Sequence, residues 1–315
     1  FATNGGTLRR NKLSDFRNIR SNGLIAMKLE GDEKLIDVKI CRDDEDVILA
    51  TRLGRAIRFE ISELRVFASR TSTGVRGIRL KNDDEVISMS ILKHVDAAAE
   101  ERASYLKRAA SLRGIDTITD AQGEDDQIAA DTTDVAEDST EEQEDAPSSI
   151  TLTDERFAEL QSREQFLLTV TKGGFGKRSS AYEYRVTGRG GQGITNITLT
   201  NKNGGEVAGT FPVTDDHQIM LVTDQGQMIR MPVAGIRTTG RAAQGVTLFR
   251  VAKDEHVVSV AWLKHSEDDA AVPEETAGDA TEGSVSPVAD IPTQIDRETN
   301  EGGAITTNTP DETPE

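Results

Sequence analysis

The chain has 315 residues, 36% of them apolar, a formal net charge of −18 and a single cysteine, Cys41. That length allows one or two domains, and one cysteine excludes an internal disulfide and fits a reducing compartment. With neither a signal peptide nor an apolar run long enough to span a bilayer, a cytoplasmic protein without a membrane partner is expected.

The charge is unevenly spread. Residues 1–94 carry a net +4 and 166–265 a net +5, whereas 95–165 carry −14 and 266–315 carry −13. A basic body with acidic appendages suits a polyanionic partner, with the appendages competing for the same cations.

In chain order, one frame recurs four times: Thr, Gly three residues on, Arg four after that. It is met by Thr3, Gly6 and Arg10, by Thr51, Gly54 and Arg58, by Thr171, Gly174 and Arg178, and by Thr223, Gly226 and Arg230. Each copy continues to a second glycine, Gly23, Gly74, Gly193 or Gly245, preceded by Arg20, Arg70, Arg189 or Arg241. Such a period marks a repeat architecture. Phe1 already lies inside the first repeat, so the sequence reads as a fragment of a longer protein.

Within a repeat the pattern is strand-like. Val47–Ala50 and Ile219–Val222 are short apolar runs ending at the Thr, too short for helices. The frame Gly suits a hairpin loop at positive φ, and a second strand follows over 55–59 and 227–231. The stretches 74–80 and 245–251 read as third strands, and 86–92 and 257–263 as fourth. Four strands in about 50 residues form a blade-like unit that cannot bury both faces alone. The fold class expected is therefore all-β, with four-stranded blades at 1–94 and 166–265.

Residues 95–165 interrupt the period. A helix is predicted over 100–113 and another after the N-cap Thr153 to about residue 165, pairing as a small hairpin that projects from the blades. The acidic stretch 116–149 and the tail 266–315 have the composition of disordered chain.

No catalytic or metal-binding constellation emerges from His94, His217, His256 and His265. The Gly188–Gly193 run lacks the Lys-Ser/Thr ending of a phosphate loop. The frame arginines have two readings, solvated strand residues beside a hairpin or a rim of regularly spaced cations following a phosphate backbone. Neighbouring cations favour the rim, whose candidate residues are Arg9, Arg10, Lys12, Arg20, Arg58, Arg70, Arg76, Lys177, Arg178, Arg189, Arg230 and Arg241. Aromatic residues make up only 4% of the chain, which favours duplex backbone contact over stacking on single strands.

Several segments carry a resemblance: Gly6–Phe16, Gly74–Leu80, Gly176–Tyr184, Arg189–Gly193 and Asp216–Thr223. Together they are similar to the carboxy-terminal domain of the DNA gyrase A subunit. The resemblance implies a β-pinwheel, propeller-like with strands exchanged between blades, whose basic rim wraps double-stranded DNA and sets the chirality of negative supercoiling. It also implies partners, namely the gyrase A amino-terminal core and the B subunit in an A2B2 heterotetramer. ATP and Mg would then lie on the core and the B subunit, with no cofactor in this stretch. Only four repeats are present where the family usually has six. Its Gln-Arg-Arg-Gly-Gly-Lys-Gly box is absent; Arg189–Gly193 resembles the ending, with Gln192 in place of Lys. The family's catalytic tyrosine lies upstream, so Tyr105, Tyr182 and Tyr184 carry no such role. The A subunit of topoisomerase IV and a protein-binding propeller are the alternatives.

Overall fold

The structure, a computed structural model, describes residues 1–114 and 151–264 apart from positions 20 and 82. The acidic stretch 116–149, the tail from 266 and the candidate Arg20 lie outside the described residues.

Repeat 1 contributes β1 (Ala2–Thr3), β2 (Thr7–Leu8) and β3 (Leu35–Asp37). Repeat 2 contributes β4 (Glu45–Thr51), β5 (Arg55–Glu60), β6 (Val75–Arg76) and β7 (Val86–Lys93). After α1 (Ala99–Leu112) and α2 (Asp154–Arg163), repeat 3 supplies β8 (Phe166–Thr171), β9 (Phe175–Ser180), β10 (Ile194–Thr195) and β11 (Val207–Val213). Repeat 4 supplies β12 (His217–Thr223), β13 (Met228–Pro232), β14 (Val246–Thr247) and β15 (Val257–Lys264).

The frame Thr and Gly build the hairpin of every repeat. Gly6, Gly54, Gly174 and Gly226 have φ between 75° and 82°, a region closed to most side chains. Each donates its N–H to the frame Thr carbonyl at 3.0–3.1 Å. The Thr hydroxyl, buried in all four copies, accepts the N–H of the residue four positions on. Those donors are Thr7 at 3.1 Å, Arg55 at 3.1 Å, Phe175 at 3.3 Å and Gln227 at 3.0 Å.

The sheets are antiparallel, but their membership crosses the repeat boundaries. The strand orders are β3-β1-β2-β6, β10-β5-β4-β7, β11-β8-β9-β14 and β13-β12-β15. The third strand expected inside each blade is thus corrected: it spans two residues and completes the blade of the preceding repeat. β6 pairs with β2, β10 with β5 and β14 with β9. The second glycine permits the approach. A Cβ on Gly74 would stand 2.0 Å from the Leu8 carbonyl oxygen, and one on Gly193 would stand 2.4 Å from that of Ala56. The first residues of the closing runs are tied back as well. Val86, Val207 and Val257 donate their N–H groups to the carbonyls of Asn4, Arg52 and Lys172 in the preceding hairpin loop.

The core lies between successive blades, with Leu8 and Ile78 packed among Val47, Leu49, Ile57 and Phe59. Ile48, Ala56 and Leu92 pack in turn on Leu167, Ala181 and Tyr184 of repeat 3. The two helices do not project freely. Tyr105 of α1 lies 5.0 Å from the Phe157 ring of α2 and 5.2 Å, edge-on, from Tyr182 of repeat 3, which anchors the pair on that blade. Tyr105, Tyr182 and Tyr184 are core residues whose hydroxyls donate to Glu164, the Leu160 carbonyl and Asn196.

Replacing Thr51 by Val keeps its shape but leaves the Arg55 amide without its acceptor. Urea unfolding of T51V is expected to show a loss of about 1–3 kcal/mol, the cost of an orphaned buried donor.

Candidate nucleic-acid interface

Alternation along the second strand decides where the frame arginine points. Arg58 shares a face with Ala56, and that face is pressed against repeat 3. Its side chain is 4% exposed and pairs with the fully buried Asp46 at 2.7 Å, which also contacts His94 Nδ1 at 2.8 Å. Arg58 Nη1 donates to the Ala181 carbonyl at 2.7 Å. Arg10 and Arg178, 14% and 12% exposed, pair with Asp43 and Asp215, and Arg178 Nε donates to the Ile236 carbonyl at 2.7 Å. These side chains latch one repeat onto the next. Arg230 is exposed and meets Gln218, on a face where the neighbouring Met228 is exposed too.

Two further candidates are interior. Arg9, 2% exposed, donates to the carbonyl of Thr73 and both oxygens of Ser72, and lies 4.8 Å from the Phe67 ring centre. Lys177, 1% exposed, donates to Ser179 Oγ at 2.7 Å and to the carbonyls of Gly240 at 3.2 Å and Arg241 at 2.6 Å. Both stand six residues after the frame Thr, where repeats 2 and 4 have Ile57 and Ile229. Each grips the loop before the second glycine of the following repeat. Burial lowers the Lys177 pKa and raises that of nearby Glu183. Arg9, Arg58 and Lys177 are therefore corrected from rim residues to interior ones: a cation sealed between blades and bonded to protein oxygens has no access to phosphate.

The remaining candidates lie outward to differing degrees. Lys12, Arg76 and Arg189 are exposed; Arg70 and Arg241 are half-buried. The loops carrying Arg189 and Arg241 are held from the preceding repeat. Glu63 accepts the Arg189 N–H at 2.9 Å, and Glu183, at the equivalent position, accepts that of Arg241. Arg55 adds bonds to the carbonyls of Gln192 at 3.0 Å and Gly193 at 2.6 Å. The structure thus brings Arg76 and Arg189 together, with Arg189 Nη1 donating to the Arg76 carbonyl at 3.2 Å.

One set of cations escaped the sequence reading. Arg17, Arg65, Arg185 and Arg237 each stand 14 residues after a frame Thr, and all four are exposed. The signal was available, because extending the alignment of repeats seven residues past the frame Arg reveals it.

Comparison with known proteins agrees with this architecture. The family described as DNA gyrase C-terminal domain, beta-propeller, matches residues 1–42, 45–93, 165–214 and 217–261, more than half of the chain. The chain is 55% identical over 262 residues to the A subunit of DNA gyrase from Granulibacter bethesdensis, with 82% of the chain and 27% of that relative covered. It is 46% identical over 269 residues to the A subunit of DNA gyrase from Rickettsia bellii, covering 85% of the chain and 27% of the relative. The chain therefore spans about a quarter of the length of these curated relatives. Among solved structures, the C-terminal domain of DNA topoisomerase IV aligns with a TM-score of 0.58 at 17% identity, covering 84% of this chain and 61% of that one. A DNA gyrase A C-terminal domain aligns with a TM-score of 0.55 at 20% identity, covering 83% and 64%. At those identities the two structures speak for the fold.

Two outcomes follow for the interior cations. Arg58→Met leaves Asp46 buried without its cation and should cost about 3–5 kcal/mol in urea unfolding, whereas pairing it with Asp46→Leu restores much of the loss. The lowered Lys177 pKa means that the unfolded chain holds more protons between that value and the ordinary lysine value of roughly 10.4. Folding stability contributed by this site should rise with pH through that window and fall as pH drops. In Lys177→Met, that part of the slope of stability against pH should vanish.

Proposed function

The chain belongs to the DNA gyrase C-terminal domain family, and on that premise we propose that it is the duplex-wrapping portion of a gyrase A subunit within an ATP-dependent type II topoisomerase. The observation that carries this reading is the repetition of loops bearing exposed arginine on blades that are joined by strand exchange. The loops of repeats 3 and 4 are held from the preceding repeat by backbone and carboxylate bonds, as Glu63 holds Arg189 and Glu183 holds Arg241. Equivalent cations therefore recur at equivalent places on successive blades, and a duplex touching one is led to the next.

Contacts of this kind read the phosphate backbone, so binding comes from counterion release with little preference for sequence. The exposed candidates Lys12, Arg76, Arg189 and Arg230 serve the contact, with the half-buried Arg70 and Arg241 and the largely covered Arg10 and Arg178 contributing less. Wrapping in one sense would set the sign of supercoiling. The chain itself supplies no catalytic group. Cleavage, ATP and Mg belong to the gyrase A core and the B subunit of an A2B2 assembly in the cytoplasm. The 46–55% identity to A subunits of gyrase favours gyrase over topoisomerase IV.

Duplex affinity of this chain should fall steeply and linearly in log–log form as salt rises, with a slope near 0.9 for each phosphate engaged. Affinity indifferent to ionic strength rejects the reading. Closing nicked circular DNA with ligase in the presence of the chain should shift the linking number in one direction. An unshifted distribution rejects wrapping while leaving simple binding intact. Arg76→Gln together with Arg189→Gln should weaken binding to unrelated duplex sequences by the same factor.

A further inference from the structure

We propose that the duplex follows a line of arginines distinct from the repeated Thr-Gly-Arg frame, namely Arg17, Arg65, Arg185 and Arg237, with one guanidinium per blade as the principal phosphate contact. This rests on the DNA-wrapping reading above and assigns its main contact residues.

Arg65, Arg185 and Arg237 share one seat. The residue before each arginine is apolar, and Leu64, Tyr184 and Ile236 are buried in the core. The residue after it, Val66, Val186 or Thr238, forms a parallel bridge with the frame arginine of the preceding repeat, Arg10, Arg58 or Arg178. One residue further on, Phe67, Thr187 and Thr239 donate their N–H groups to the carbonyls of those same frame arginines at 2.8, 2.9 and 2.8 Å. The chain is therefore fixed on both sides of Arg65, Arg185 and Arg237, and all three side chains are exposed.

Frame arginine and line arginine divide the work. Arg10, Arg58 and Arg178 are largely covered and carry the backbone seat; Arg65, Arg185 and Arg237 are exposed on it. Arg65 shows how the guanidinium is presented, 4.3 Å from the Phe67 ring centre, a packing that steadies a cation while leaving donors for phosphate oxygens. Arg17 occupies the same register in repeat 1 and is exposed as well. A planar guanidinium that bonds two phosphate oxygens at once suits a backbone contact repeated blade after blade.

The test replaces all four by Gln in the 315-residue chain and measures duplex affinity against salt. A second variant with four exposed cations off the line replaced by Gln, at Lys34, Lys93, Lys107 and Lys202, matches the charge change. The line variant should lose roughly 3–4 units of salt slope, at about 0.9 per phosphate, and the control less than about one. Four Arg→Lys changes, which keep the charge, should retain most of the slope. Thermal unfolding by circular dichroism establishes that the folds are equivalent. Should the fourfold variant unfold, Arg65→Gln and Arg185→Gln singly should each remove about 0.9. If wild-type binding is salt-dependent and the line variants keep its slope, or the control loses as much, the line is rejected while wrapping stands. If wild-type binding itself ignores salt, both are rejected.

Discussion

The bonds from Phe67, Thr187 and Thr239 to the carbonyls of Arg10, Arg58 and Arg178 hold successive repeats in one register, and the two-residue strands β6, β10 and β14 extend that hold across each boundary. A three-stranded repeat standing alone would expose the outer edge of its second strand and the apolar face beside it. Lending the third strand backward closes that edge and seals Ile48, Ala56 and Leu92 against the next blade. Since the first three blades are each finished by the repeat that follows, the geometry of the loops in repeats 2 to 4 is tied to the repeat before them. Such nearest-neighbour coupling is what lets a feature recur at fixed spacing.

The same coupling explains why so many cations are inside. Burying an unpaired charge is expensive, and the interior cations here are met by oxygens: Arg58 by Asp46 and the Ala181 carbonyl, Lys177 by two loop carbonyls and a serine. Their positions lie on strand faces that must be covered once blades stack. They stabilise the seams and position loops. The positive charge available to a polyanion is consequently smaller than the count of Lys and Arg suggests, and the part of it that recurs at one position in every repeat lies in the loops between the second strand and the second glycine.

The helical pair illustrates how an insertion is tolerated between repeats. α1 and α2 leave and re-enter the chain beside repeat 3, and the Tyr105, Phe157 and Tyr182 rings share one small core with Leu160. Arg156 bonds Glu101 across the pair at 3.1 Å. The blades keep their register across the interruption because β10 of repeat 3 still pairs with β5 of repeat 2, with Ile194 opposite Ala56.

Local chemistry was legible in the residues themselves. The Thr and Gly of the frame dictate the hairpin through one hydroxyl acceptor and one positive φ, both local constraints, and the short apolar runs ending at Thr51 and Thr223 mark strands for the same reason. The repeat period and its all-β class follow from these. What the tertiary structure alone decided is which blade receives the third strand and which side of each arginine meets solvent. Arg58 and Arg65 are both arginines seven residues apart in a basic segment, and nothing in their immediate sequence separates them. Arg58 is drawn inside because strand alternation puts it on the Ala56 face that repeat 3 covers, where it reaches the Ala181 carbonyl 123 residues along the chain. Arg65 stays outside because the buried Leu64 and the bridge from Val66 to Arg10 of the preceding repeat fix the chain on either side of it. Both outcomes depend on a neighbouring repeat, beyond the reach of any local pattern.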